Sequence, residues 1–130
     1  MPAYESVKFD DLFAGGVKPP TAIAIVVKTG SGVVTRGTVL GKLSQLAESD
    51  LYAGTPVMAP VNSTKTDGSE TPYAVLADVE VDATSKDVRA VAYTDGEFNR
   101  AALKFGGTDT IATHETALRK IGIITKRVVK

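Results

Sequence analysis

Few side chains in this sequence are of types that could do nucleophilic, acid–base or metal chemistry. His114 is the single histidine and there is no cysteine, so thiolate chemistry and Cys-ligated metal sites are excluded. His114 shares a helical spacing with Ile111, Leu118 and Ile121, which would place all four on one face of a helix. This pattern favours a structural histidine at a core over a catalytic or ligand-binding one.

The carboxylates that lie close together in the sequence also have a structural interpretation. Asp78, Glu80 and Asp82 alternate along a candidate strand and therefore share one face of it. Paired carboxylates can perform acid–base work or bind hard cations, but a solvated outer strand face is the simpler expectation. The Asp95-Gly96-Glu97 cluster predicts a turn leading into a helix, whose first residues favour acids.

No motif of a known catalytic or phosphate-binding loop is complete. The serines and threonines do not lie in a nucleophile-elbow pattern, and Gly30-Ser31-Gly32 lacks the continuation of a dinucleotide or phosphate loop. Lys65 follows no glycine-rich cradle. We therefore expect a protein that is not an enzyme and that uses no cofactor and no metal.

Charge and hydropathy argue against two classes of partner. Fifteen basic and fifteen acidic residues cancel, whereas a nucleic-acid binder usually carries a basic excess. The longest apolar run, 22–27, is too short to span a bilayer, and the acidic N-terminus does not resemble a signal peptide. We expect a soluble protein made in a cytoplasm, with neither nucleic acid nor membrane as partner.

The elements that must position these residues are mostly short strands. Candidate strands, separated by Gly and Asp-Gly turns, recur at 22–27, 33–34, 38–40, 51–52, 56–58, 73–81, 88–93 and 123–129. Two short helices are predicted near the C-terminus. One lies within Glu97–Lys104 and ends at Gly106-Gly107, and the other lies within Thr110–Ile121 and ends at Gly122. The predicted fold class is mainly β, a compact small β-barrel-like domain.

Residues 1–20 differ in composition and are predicted to form an extended N-terminal arm before a domain at 21–130. Gly15-Gly16 and Pro19-Pro20 interrupt regular structure and indicate a hinge. The arm nevertheless carries apolar side chains that are costly to leave in water, namely Tyr4, Val7, Phe9, Leu12 and Phe13. They pack either on their own domain or on a partner, and the sequence alone leaves both alternatives open.

Several segments, in order, resemble the phage head decoration protein family, which includes the lambda capsid-stabilising protein. The similar segments are 36–42, 67–77 with 81–84, 90–93, 96–99 with 101–103, and 118–123. None is diagnostic alone, and similar Gly-Thr-Val-Leu-Gly runs occur in biotinyl and lipoyl carrier domains. This chain lacks the modified lysine of those carriers in its hairpin context. The ordered set of segments, at similar intervals, carries the resemblance.

The resemblance implies a homotrimer on the outer capsid surface of the virion, bound to the major capsid protein of a tailed phage. Such trimers bind after the shell expands and stabilise it against internal DNA pressure. The arm, with Tyr4, Val7, Phe9, Leu12 and Phe13, is then the expected capsid-binding element. Strand addition to an exposed capsid edge would satisfy unpaired backbone groups there.

Two other classes remain as alternatives. A small β-barrel binding module for nucleic acid or carbohydrate predicts aromatic side chains clustered on one face with basic neighbours. An unrecognised enzyme or carrier domain would have to use residues that form no known motif.

Overall fold

A computed structural model describes residues 12–14 and 19–127 of the chain. This part contains nine strands, one α-helix and one short 3-10 helix. In chain order the elements are β1 (Ala22–Val27), β2 (Gly32–Thr35), β3 (Val39–Gln45), β4 (Pro56–Pro60), β5 (Pro72–Leu76), β6 (Glu80–Ala83), β7 (Val88–Tyr93), β8 (Gly96–Asn99), the 3-10 helix (Arg100–Ala102), α1 (Ile111–Lys120) and β9 (Ile123–Lys126).

Five strands close into a barrel in the order β1, β4, β3, β5, β7. β1 pairs in parallel with β4 and antiparallel with β7, where Ala22 faces Tyr93 and Val27 faces Val88. Alternate side chains of each strand point inwards, so Ile25, Val27, Leu40, Met58 and Leu76 fill the interior and are fully buried. The prediction of a mainly β, barrel-like domain is confirmed.

The side chains inside the barrel form the first of two hydrophobic cores. A two-stranded sheet of β2 and β6 packs against this first core. Val34 and Val81 are opposed in the pairing and both contribute to the core, while Glu80 and Asp82 point to the exposed side. The solvated outer face expected for the acidic alternation is therefore present at these two residues. Asp78 lies in the bend before the strand.

A second core forms between the outside of the barrel and a layer made of α1, β8 and β9. Val39 and Val75 point outwards from β3 and β5, and Phe98, Leu118 and Ile123 meet them from the outer layer. These five side chains are at most 1% exposed. Because neighbouring residues of one strand point to opposite faces, β3 and β5 supply both cores at once.

The first of the two predicted helices is wrong. The chain from Gly96 to Asn99 is a strand that pairs in parallel with β9, and only one turn of 3-10 helix follows it. Pairing with β9 directs Phe98 into the second core, where it is fully buried, and this tertiary burial outweighs the local helical spacing. Gly106, expected to end that helix, instead lies against the backbone of the loop at Val61, whose carbonyl oxygen would be 2.7 Å from an added Cβ.

The second predicted helix is confirmed as α1. Thr113 Oγ1 accepts a hydrogen bond from the Thr110 backbone N–H at 3.2 Å, which satisfies a donor at the start of the helix. Gly122, with φ +92°, follows the helix end in the left-handed conformation that glycine adopts at low cost. His114 and Leu118 are the buried residues of the helix and Ile111 packs against the second core, whereas Ile121, predicted on the same face, follows the helix end and is 39% exposed.

Candidate functional site at the root of the arm

The C-terminal part of the predicted arm is attached to the outer layer of the domain. Leu12–Ala14 lies antiparallel to β8, with Phe13 opposite Phe98. The Asn99 N–H donates to the Leu12 carbonyl at 2.7 Å, and the Ala14 N–H donates to the Glu97 carbonyl at 2.9 Å. β8 therefore has a strand neighbour on each side, β9 on one and the arm on the other. We call residues Leu12–Ala14 the arm root.

Leu12 belongs to the second core and is 3% exposed. Its side chain reaches the turn between β2 and β3, where a Cβ added to Gly37 would lie 3.4 Å from Leu12 Cδ1. The same Cβ would lie 2.7 Å from the Ala102 carbonyl oxygen, closer than real Cβ contacts allow. Gly37 also has φ +93°, so only glycine lets this turn, the 3-10 helix and the arm root meet.

Phe13 lies in a cluster of three aromatic rings. Its ring centroid is 5.1 Å from that of Tyr93, in an edge-to-face arrangement, and 5.2 Å from that of Phe98. Tyr93 and Phe98 are 6.1 Å apart. These are the separations at which aromatic pairs attract each other beyond the burial of their area. Phe13 is half-buried, whereas Phe98 beneath it is fully buried.

Arg36 contacts both outer rings of this cluster. Its guanidinium carbon is 5.7 Å from the centroid of Phe13 and 5.7 Å from that of Tyr93, within cation–π range. Arg36 Nη1 donates to the Ala77 carbonyl at 2.7 Å and to Tyr93 Oη at 3.4 Å. The hydrogen bond to Ala77 fixes the guanidinium plane, so Arg36 joins the arm root to the barrel wall.

Pro20 and Thr21 are held beside the first residue of β8, Gly96. The Asp95 carboxylate accepts from the Thr21 N–H at 2.8 Å and from Thr21 Oγ1 at 3.1 Å. Pro20 packs beside Gly96, where an added Cβ would lie 3.2 Å from Pro20 Cβ. The residues described before and after 15–18, Ala14 and Pro20-Thr21, therefore both contact the chain at the start of β8.

The predicted site residues fall into two groups. Leu12 and Phe13 are brought together on the domain, which for these two residues favours packing on the chain's own barrel. Tyr4, Val7 and Phe9 lie outside the described residues, as does Gly15-Gly16. Sequence reasoning missed Arg36, Tyr93 and Phe98 as partners of the arm. Their aromatic and cationic side chains were the only sequence signal for this contact. Because they are 23 or more positions from Phe13, no local pattern links them to the arm.

The polar cluster around the buried His114 has a structural role. Asp109 accepts from His114 Nε2 at 2.7 Å, from Ser63 Oγ at 2.7 Å and from the Ser63 N–H at 2.6 Å. Both Ser63 and His114 therefore bond to the carboxylate, whereas in a Ser-His-Asp triad the imidazole lies between the other two. Phe105 stacks on the imidazole at 5.6 Å. The cluster joins the loop after β4 to α1.

Hydrogen bonding lowers the pKa of two carboxylates, that of Asp109 just before α1 and that of Glu115 within it. Burial raises the pKa of Asp109, but the hydrogen bonds from Ser63 and His114 outweigh it, and the net pKa is lowered. The pKa of Glu115 is lowered mainly by the hydrogen bond from Thr125, at 2.8 Å, with a contribution from the Arg100 guanidinium 3.2 Å away. Both carboxylates thus favour the charged form in the folded protein.

Two kinds of feature are not found in residues 12–14 and 19–127. No group of three or more His, Cys, Asp or Glu side chains is placed to hold a metal ion. The helices of the same residues include none long and apolar enough to cross a membrane.

Fold and site together define a small β-barrel protein in which the arm root, Leu12–Ala14, is held on an outer layer of helix and strand. The family model described as bacteriophage lambda head decoration protein D matches residues 5–124. The chain belongs to this family, and the resemblance seen in the sequence is confirmed. It is therefore a viral structural protein of the phage head. No curated protein matches the chain.

The match to the family model covers part of the predicted arm. It begins at residue 5, so the family pattern includes most of the predicted arm as well as the barrel. The family is one of structural capsid decoration proteins, which accords with the expectation of a non-enzymatic role.

Proposed function

We propose that this protein binds the outside of an expanded phage head as a homotrimer and stabilises the shell against the pressure of the packaged DNA. Its partner in this proposal is the major capsid protein. The observation that supports it most strongly is the family match over residues 5–124, which extends from the arm through the barrel.

The arm supplies the capsid contact in this proposal. Tyr4, Val7 and Phe9 are the side chains for direct burial on the capsid, because Leu12 and Phe13 already pack on the domain. An extended arm can add a strand to an exposed sheet edge and satisfy its unpaired N–H and C=O groups. Main-chain pairing then supplies binding energy, and the apolar side chains add burial.

Energetics explain why a trimer would be needed. Full burial of each large apolar side chain stabilises by roughly 1.5–3 kcal/mol, while ordering a backbone costs about 1–2 kcal/mol per residue. A single short arm would therefore bind weakly. Three arms on one trimer act at high effective concentration once the first has bound, which raises the overall affinity without new contacts.

A stacking platform for single-stranded nucleic acid receives less support from the aromatic cluster. Such a platform needs ring faces open to bases. Phe98 is fully buried, and Phe13 and Tyr93 are in contact with each other and with Arg36. The bulk charge of zero also provides no excess of cations for phosphates.

The test uses expanded capsids that lack any decoration protein. Full-length protein and a variant lacking residues 1–11 are added in increasing amounts, and bound protein is measured after sedimentation of the shells. We expect saturable binding of the full-length protein, loss of binding for the truncated one, and a higher melting temperature of decorated shells. Analytical ultracentrifugation of the free protein should give a trimer at micromolar concentration. An absence of binding by the full-length chain would rule out the decoration role, and equal binding by the truncated chain would place the contact on the barrel.

A further inference from the structure

We infer that Leu12, Phe13 and Arg36 form an anchor that fixes where the arm leaves the domain, and that this positioning strengthens capsid binding. The inference rests on the proposed function, because it assigns a role to residues that hold the capsid-binding arm. Leu12 and Phe13 act in it as positioning residues that face their own domain, and direct capsid contact falls to residues before them.

The arm root is held by several independent interactions. Two backbone hydrogen bonds, from Ala14 to Glu97 and from Asn99 to Leu12, pair it with β8. Leu12 is buried in the second core. Phe13 lies between Tyr93, Phe98 and Arg36. Backbone and side chains therefore fix both the position and the direction of this segment.

The point at which the arm leaves the domain is defined by the direction of the arm root. Because the arm root is antiparallel to β8, its Leu12 end lies at Asn99, where β8 passes into the 3-10 helix. Residues that precede Leu12 therefore start from this corner of the domain in every copy. In a symmetric trimer, identical exit points place the three arms in a defined geometry.

A fixed arm root lowers the free-energy cost of binding the capsid. Fixing three residues before the capsid is met removes their ordering cost from the binding step, which is the advantage of any preorganised ligand. It also shortens the stretch of chain that links the capsid contact to the domain, and a shorter link of matching span raises the effective concentration of the second and third arms. An arm that starts from a loose root would lose both advantages while keeping every residue that touches the capsid.

The experiment compares Phe13→Ala with Phe105→Ala in the full chain. Both phenylalanines are half-buried and pack against the second core, but Phe105 stacks on His114 and is not part of the arm root. Phe105→Ala therefore reports what a similar loss of packing does by itself. Phe13→Leu keeps apolar volume and should restore part of the effect, and Arg36→Lys tests the guanidinium contact without removing the charge.

Two readouts are measured for each variant. Hydrogen exchange of the Ala14 and Asn99 amides should accelerate in Phe13→Ala and Arg36→Lys, and should stay at the wild-type rate in Phe105→Ala. Apparent affinity for expanded capsids should fall on the order of tenfold or more in Phe13→Ala, and by less than about twofold in Phe105→Ala.

Several outcomes would overturn the anchor. They are equal capsid affinity of Phe13→Ala and Phe105→Ala, wild-type affinity despite fast exchange at Ala14, or unchanged exchange at both amides. If Phe13→Ala does not fold, Arg36→Lys and Phe13→Leu decide by the same two readouts. Failure of the wild-type chain to bind capsids would instead reject the decoration role, and amide exchange would still show whether the arm root is held.

Discussion

Asp109 and His114 form a buried pair, with His114 Nε2 2.7 Å from Asp109 Oδ2 and both side chains at most 5% exposed. The two residues are five positions apart in the sequence, with Asp109 just before α1 and His114 within it. Ser63, in the loop after β4, donates two further hydrogen bonds to the same carboxylate. A single carboxylate thus holds the loop after β4 to the helix that covers the second core.

Asp109→Asn should lower the free energy of unfolding by about 1–3 kcal/mol near neutral pH, because it weakens the hydrogen bonds that this side chain accepts from the buried His114 imidazole and from Ser63. The folded-state pKa of Asp109 is depressed. Its stabilising contribution is therefore present above the unfolded value of about 3.9, and is lost as pH falls through the lower folded value. The variant should show a shallower loss of stability in acid, measured by urea unfolding at a series of pH values.

Asp82→Asn is the matched control for the loss of stability at low pH. The pKa of Asp82 is also lowered, by hydrogen bonds from Thr84, but these lie within one exposed turn. Its substitution should change stability at neutral pH far less than Asp109→Asn. Equal effects of the two substitutions would contradict the structural role of the buried pair.

Leu12→Ala should destabilise the domain by about 2–5 kcal/mol, as expected for a leucine truncated inside a packed core. Leu51→Ala serves as the control, because Leu51 is 85% exposed and its truncation should fall within about 0.5 kcal/mol of wild type. Thermal or chemical denaturation followed by circular dichroism measures both. A Leu12→Ala variant as stable as Leu51→Ala would show that the arm root does not belong to the core in solution.

Gly37→Ala should destabilise more than Gly30→Ala. The two glycines have nearly the same φ, +93° and +91°, so an alanine is strained at both by about 1–2 kcal/mol. Only at Gly37 would the new Cβ also meet a backbone atom, the Ala102 carbonyl oxygen, whereas nothing lies within 4 Å at Gly30. The difference between the two melting temperatures isolates this contact, and identical values would contradict the close approach of the two turns.

Phe9→Ala should weaken binding to expanded capsids by more than about tenfold without changing the melting temperature of the free protein. The loss is large because three arms lose the same contact together. Lys8→Ala is the control at the adjacent position, since an exposed charge contributes roughly 0–1 kcal/mol. Equal affinities of the two variants would remove Phe9 from the capsid contact and leave the rest of the arm to be tested.

Local patterns in the sequence determined most of the strand positions, one helix and the class of protein. β1 matches its predicted bounds because a short run rich in β-branched residues and followed by a glycine turn favours a strand over a helix. α1 was predictable because its inward-facing residues recur at helical spacing and glycine follows its end. The family resemblance was readable because ordered segments of similar type and interval recur along most of the chain.

Tertiary structure alone decided which strand each element joins. Gly96–Asn99 has a sequence that suits the first turn of a helix, yet it pairs with β9 from 27 positions further on, because this pairing buries Phe98. The arm was ambiguous for the same physical reason. Hydrophobicity shows that Leu12 and Phe13 need burial, but the surface that buries them is assembled from Arg36, Tyr93 and Phe98, which only the folded chain brings together. The type of a side chain shows that it must be buried against a partner. Which residues form that partner depends on contacts between positions far apart in the chain.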